Sequence, residues 1–323
     1  MSDTNAIVIV PVYNRAHLIE RCLDSIMAQD YPEMQLVIVD NASTDATPQV
    51  ISEWITRNSA AKRPIKFLCE PRRGAAVARQ HGVEWVIQSG FAESSVLFFF
   101  DSDDTMGDGL IRRAMTEFNA DAGTDIVCWR IKSHLSDGSV LSTKPNTEHP
   151  GIVHHIMHSF LSTQRYASRL GFFNTTGGWN PSVMVWDDYE LGLRIMLRSP
   201  RIKVVNETLV NVYPQVESIT GVDFSSKSGQ WEEIMDLMSE TIERSGRPDR
   251  NHLENAICYR RIILAAQYHI EGHRDLAMDL FHTTIKSPTL SLFHRIVLRN
   301  AFLHARLGLR GAYTLCNISG KLL

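Results

Sequence analysis

The sequence predicts an α/β fold, a mostly parallel mixed sheet flanked by helices with a C-terminal helical appendage. Three observations predict it. Short β-branched apolar runs alternate with amphipathic helical patterns in the first third of the chain, three of those runs end in polar loops, and from Trp231 onward the pattern is helical almost throughout.

Ala6 to Val10 is a continuous apolar run followed by Pro11-Val12-Tyr13-Asn14, which reads as a buried strand ending in a loop. From Ala16 to Gln29, Leu18, Ile19, Cys22, Leu23, Ile26 and Met27 recur at helical intervals. Gln35 to Val39 reads as a second strand leaving through Asp40-Asn41-Ala42-Ser43-Thr44-Asp45, so a right-handed crossover makes the two strands parallel. A helix over about Thr47 to Asn58, a strand at Ile65 to Cys69, the turn Pro71-Arg72-Arg73-Gly74 and a helix to roughly Ile87 follow. Ser95 to Phe100 is a buried strand that ends in acids, the third strand to finish in a polar loop, and a helix is expected near Gly109 to Asn119. Asp137-Gly138 marks a hairpin between Asp125 to Lys132 and Ser139 to Thr143, which makes the sheet mixed. Gly151 to Leu161 reads as helix, Tyr166 to Trp179 as a Gly- and Asn-rich loop, Trp186 to Arg194 as a helix with acids in its first turn, and Arg201 to Val212 as a strand. Gly246-Arg247-Pro248 and Gly272 break the helical tail.

The loops after Val10, Val39 and Phe100 share one edge of such a sheet, where open α/β sheets place ligands. Tyr13, Asp40 and Asp101 to Asp104 therefore line one crevice. Three carboxylates in Asp101-Ser102-Asp103-Asp104 suit a hard divalent cation, Mg²⁺ or Mn²⁺, that also holds a diphosphate. Acids after a strand also solvate turns and cap helices, and the short segment alone does not choose between these.

With 323 residues the chain is long enough for one large domain or two ordinary ones, and a net charge of -3 gives no pull toward nucleic acid. Cys22, Cys69, Cys128, Cys258 and Cys316 form no Cys-Xaa-Xaa-Cys pair and mostly sit in apolar patterns, as reduced thiols do, so the expected compartment is cytoplasmic. No signal peptide and no apolar run of membrane-spanning length are apparent.

Val10-Pro11-Val12-Tyr13-Asn14-Arg15, Val39 to Asp45, Ala78-Arg79-Gln80-His81-Gly82-Val83, Asp101 to Asp104, Gly177-Gly178-Trp179 and Trp186 to Leu191 occur in the order seen in family 2 glycosyltransferases, which the stretch from Ala6 to Gly221 resembles. The resemblance implies a GT-A, Rossmann-like fold, a UDP-linked nucleotide-sugar donor, a Mn²⁺ or Mg²⁺ cofactor and inversion at the anomeric carbon. It implies that Pro11, Tyr13 and Arg15 lie along the nucleoside, that Asp40 accepts a hydrogen bond from the base, and that Arg73 and Arg79 reach base or diphosphate. Asp101 and Ser102 would meet the donor, Asp103 the metal, and Asp188 would be the catalytic base, with Trp179, Trp186 and Asp187 on the acceptor side. Gln80 and Asp187 depart from the commoner Asn and Glu. Gln215 stands near a position where many members carry a metal-binding His, so its oxygen, water or donor phosphate would complete the metal's ligands.

This divides the chain into a catalytic domain over 1–222 and a helical region over 223–323. The function implied is transfer of a sugar to a glycan or lipid-linked acceptor; the rival is a non-catalytic nucleotide-sugar-binding or scaffolding protein. In the tail, no acid follows Asp279. A helix over 290–310 would set Arg295, Arg299, Arg306 and Arg310 within an arc of roughly 60°, opposite Phe293, Val297 and Ala301. Such a basic face suits peripheral contact with the inner face of a membrane, or else is the solvated side of a packed helix.

Overall fold

The computed structural model describes residues 5–61, 63–142, 150–214 and 224–307. The first part of the chain runs β1 (Ala6–Val12), α1 (Ile19–Met27), β2 (Met34–Asp40), α2 (Thr47–Arg57), β3 (Ile65–Cys69), α3 (Ala75–Gln88) and β4 (Val96–Phe99). Then come β5 (Thr105–Met106), α4 (Leu110–Ala120), β6 (Ile126–His134), β7 (Val140–Ser142), α5 (Ile152–His158), β8 (Tyr166–Arg169), α6 (Leu170–Thr175), α7 (Asp187–Leu197) and β9 (Ile202–Val212). Helices α8 (Gln230–Arg244), α9 (Arg250–Ile270), α10 (Arg274–Ile285) and α11 (Leu292–Arg306) follow.

The strands form one sheet in the order β3-β2-β1-β4-β8-β6-β9-β5, with β7 paired to β6. β3, β2, β1 and β4 are parallel, whereas β8 runs antiparallel to both β4 and β6. Both faces of β1 are buried, which is why it is an unbroken apolar run. Val8, Val10, Leu36, Ile38 and Phe98 join Leu23, Ile26, Trp54 and Phe118 in the core on one side. On the other, Ile9 and Val39 meet α3 at Gly82, where an added Cβ would lie 2.6 Å from Ile9 Cγ2. That close approach seats α3 low on the sheet and brings Arg79, one turn earlier, to the ligand edge.

The sequence reading of Tyr166 to Trp179 as a loop is corrected: it contains β8 and α6. Tyr166-Ala167-Ser168-Arg169 has no apolar run long enough to read as a strand. Its identity comes from the partners on either side, with Ala167 opposite Phe98 on β4 and Val127 on β6. The two-residue β5 was likewise missed, being set only by its pairing with β9.

The chain divides into two compact units, one of Met1–Pro150, Leu161–Leu191 and Arg198–Glu217, the other of Gly151–Phe160, Gly192–Leu197 and Ser218–Leu323. In the second, the buried ring of His155 packs on Gly192, where a Cβ would come within 2.2 Å of it. The breaks at Gly246 and Gly272 are real, both with positive φ. α11 buries Leu298, Ala301, Phe302 and Ala305, with the Phe302 ring stacked on Phe281 of α10 at 4.5 Å. This corrects the expected orientation of the tail helix. Phe293 faces solvent, and Arg295 turns back to donate to the carbonyls of Ser287 and Leu290. Arg310 lies outside the described residues.

Candidate active site

The loops after β1 and β2 are stitched together. The Asn14 N–H donates to Ser43 Oγ at 3.0 Å, Thr44 N–H to Asn14 Oδ1 at 2.8 Å, and Arg15 N–H to Thr47 Oγ1 at 2.8 Å. Asn14 and Ala42 make the turns possible by adopting left-handed φ of 48° and 57°. Pro11 is buried at the strand end. Asn41 fixes the third loop, donating to Arg72 O at 2.5 Å and accepting from Gly74 N–H at 2.8 Å. One product is Arg73 stacked over the Tyr13 ring, 3.1 Å from its centroid. Another is Asp40, buried, with Oδ2 accepting from Ser43 N–H and Oδ1 buried with no hydrogen-bond partner among the described residues. A buried carboxylate oxygen left so is costly unless a ligand N–H satisfies it.

Of the acids after β4, Asp101 and Asp104 share a donor. Asp101 accepts from Arg79 Nη2 at 2.6 Å and from Gln164 Nε2. The same Gln164 amide donates to Asp104 Oδ2 at 2.7 Å, and Tyr213 N–H donates to Asp104 Oδ1 at 3.0 Å. The Asp103 carboxylate stands 3.8 Å from Arg15 Nε, its backbone carbonyl accepts from Arg21 Nη2 at 2.6 Å, and Ser102, between Asp101 and Asp103 in sequence, is buried. Burial and the charges of Asp101 and Asp103 push the Asp104 carboxyl up to about 8. Burial and Asp101 also raise Asp103, against the pull of Arg15.

These residues fit a hard dication. The donor set is oxygen throughout, the crowded negative charge calls for a cation, and the Asp103 carboxylate stands 3.8 Å from the Arg15 guanidinium. Among the described residues no three His, Cys, Asp or Glu side chains form a ready cage. One protein ligand supplemented by donor phosphate is the arrangement they suit. Gln215, the expected further ligand, lies outside the described residues.

Arg79 links this cluster to the start of α7. Its guanidinium is buried between Asp101 and Asp187, the latter at 2.5 Å, and lies over the Trp179 ring, 4.6 Å from the centroid. Trp179 is 1% exposed, its other contact being edge-on to Phe99. It sits beneath Arg79 and leaves no ring face for stacking on a sugar. Gln80 holds that loop by accepting from Trp179 N–H at 3.0 Å. Trp186 takes a left-handed φ of 51°, a strained conformation for a bulky residue, and meets Tyr189 edge-on.

Asp187 and Asp188 then open the helix, where its dipole favours acids. Asp187 Oδ1 accepts from Asp188 N–H at 3.0 Å, and Asp188 Oδ2 accepts from Thr163 N–H at 3.4 Å. Burial raises both carboxyls, and Asp187 adds its charge to carry Asp188 to about 7. Since Arg79 contacts Asp187 directly, Asp187 is the partner held charged and Asp188 the one left to exchange a proton near neutrality.

The family model described as Glycosyl transferase family 2 matches residues 7–179, more than half of the chain. The chain belongs to glycosyltransferase family 2. This family 2 member is 30% identical over 122 residues to glycosyltransferase GlyA of Streptococcus pneumoniae, a match covering 37% of this chain and 16% of GlyA. The chain spans less than half the length of the first curated relatives it matches. Among solved structures, S. aureus TarS 1-349 in complex with UDP-GlcNAc superposes with a TM-score of 0.70 at 18% identity, covering 99% of this chain and 92% of that one. Mannosyltransferase PcManGT from Pyrobaculum calidifontis, in complex with GDP-Man and Mn²⁺, gives 0.57 at 18% identity, covering 98% and 87%. The fold is therefore GT-A, a curled mixed sheet flanked by helices with a helical C-terminal region.

Within this family 2 site, the residues singled out in the sequence that come together are Tyr13 with Arg73, Arg15 with Asp103, and Arg79 with Asp101 and Asp187. The sequence did not single out Thr163 and Gln164, whose short turn touches Asp188 on one side and Asp101 and Asp104 on the other. Nor did it single out Asn41 as the tie between loops, although Asn directly after a strand is a usable signal.

Proposed function

We propose that this chain is a metal-dependent inverting glycosyltransferase, moving a sugar from a nucleotide donor, UDP-linked, to a hydroxyl of a glycan or lipid-linked acceptor in polysaccharide or glycoconjugate synthesis. The observation that carries the reading is the acid and guanidinium network that runs from Asp101 through Arg79 to Asp187 and Asp188, with Asp103 two residues along the chain from Asp101. It sets a carboxyl poised near neutrality beside a crowded anionic cluster suited to a cation.

In this reading Asp40 Oδ1 accepts an N–H of the base, Tyr13 and Arg73 flank the nucleoside with Pro11 and Arg15, and Asp101 and Ser102 face the donor. Asp103 would hold Mn²⁺ or Mg²⁺, with Gln215 as candidate second ligand. When bound, such a cation stabilises the charge of the departing diphosphate. Asp188 takes the proton of the acceptor hydroxyl as that oxygen bonds to the anomeric carbon, and the bond from that carbon to the diphosphate oxygen breaks on the opposite face. Trp186 and Asp187 stand on the acceptor side, and Trp179 acts from beneath Arg79. We take 1–222 as the catalytic domain and 223–323 as the helical region. The UDP-GlcNAc in TarS supports the donor class, and the Mn²⁺ in PcManGT supports the cofactor.

A panel of nucleotide sugars incubated with the purified chain and Mn²⁺, Mg²⁺ or EDTA tests this. The expected result is metal-dependent release of nucleoside diphosphate from one donor and, by NMR, a product of opposite anomeric configuration. Donor binding without release under any metal would replace the reading with the non-catalytic one.

A further inference from the structure

Helix α11 divides its side chains by exposure in a way that its packing does not require. On a wheel of 100° per residue, every exposed position of Leu292–Leu307 falls in one contiguous arc of roughly 140°. Along the middle of that arc run Leu292, Ile296, Leu303 and Leu307, which are 76%, 50%, 47% and 63% exposed, and Phe293 flanks them at 53%. Arg299 and Arg306, also exposed, form one edge of the arc. The opposite side of the helix is already satisfied by α9 and α10 through Leu298, Ala301, Phe302 and Ala305. Among the described residues the apolar row is thus surplus to the core of its own unit, and a row of this size is not left to water without a reason.

We propose that the Leu292–Ile296–Leu303 face of α11 seats on an anionic lipid surface. Charge decides the occupant. From Lys286 onward the sequence contains no Asp or Glu while Lys and Arg recur, so the segment that carries this face is basic and complements an anionic surface. No described helix is long and apolar enough to cross a membrane, so the contact is of the in-plane kind, apolar side chains entering the headgroup boundary and arginines meeting lipid phosphates at the edge. This differs from an interaction through a purely arginine face: Arg295 is turned away to the Ser287 and Leu290 carbonyls, and leucine and isoleucine supply the contact instead. The inference does not depend on the catalytic reading.

The test is co-sedimentation of the full chain with vesicles of phosphatidylcholine mixed with phosphatidylglycerol and with vesicles of phosphatidylcholine alone. The wild type is expected to bind the mixed vesicles and to release in high salt. Arg299→Gln with Arg306→Gln should weaken that binding about 30-fold, and Ile296→Gln with Leu303→Gln about tenfold or more. Both pairs are solvent-exposed, so each variant should keep the circular dichroism and melting curve of the wild type. Absence of wild-type binding to mixed vesicles, or undiminished binding by the Ile296/Leu303 variant, overturns the proposal. So does a wild-type dimer in analytical ultracentrifugation that the Ile296/Leu303 variant dissolves, with no vesicle binding, because the face would then belong to a second copy.

Discussion

Replacing Asp188 by Asn changes one atom and separates chemistry from binding. The amide oxygen can still accept from Thr163 N–H, so the turn keeps its anchor. The variant loses the group that takes the acceptor proton, and such a loss costs about 10²–10⁴ in kcat. Donor affinity, measured by calorimetry with the nucleoside diphosphate, should stay within about twofold, since no nucleoside contact rests on Asp188. The wild-type rate should climb about tenfold per pH unit below neutrality and level off above about 7 as the carboxyl ionises; the Asn variant should lack that slope. Stability moves the other way. A carboxyl whose folded value is raised from 3.8 to about 7 loses stability as pH rises between those values, a loss of at most about 4 kcal/mol. The Asn variant should therefore melt higher than wild type near pH 8 and no higher near pH 4. Full turnover by the variant, or a wild-type profile flat through neutrality, would refute the assignment.

Asp40→Asn should weaken nucleoside diphosphate binding by about tenfold or more in calorimetry, because the unpartnered Oδ1 loses its charge. Gln164→Ala should cost about 1–3 kcal/mol in denaturant melts, since the partly buried Asp101 and Asp104 lose a shared donor. In Gly82→Ala the new Cβ must push Ile9 away, and denaturant melts should show a loss of about 1–3 kcal/mol.

The parallel half was legible because local pattern and tertiary role coincide there. β1 and β2 are buried on both faces and so announce themselves as apolar runs, and β3 falls where β-branched and aromatic residues are bounded by Pro64 and Pro71. β8 was not legible, because four mixed residues become a strand only through neighbours distant in sequence. The same divide runs through the site. Tyr13, Asp40 and Asp101 follow readable strands, so their shared edge could be deduced. Gln164 stands in a turn with no periodicity, and its role exists only once β8 carries it beside the acids. Trp179 shows a subtler limit: an aromatic in a Gly-rich loop looks like a surface platform until Arg79 is seen lying over it.

The antiparallel strand β8 joins the parallel half of the sheet to β6 and β9, and the Thr163–Gln164 turn leads straight into it. Opening of this seam and release of the acid network are consequently one event. Amides of Tyr166 to Arg169 and the integrity of the Asp101–Gln164–Asp104 contact should share a single opening free energy in hydrogen exchange. A ligand that draws these carboxylates together would then slow exchange in a strand it never touches.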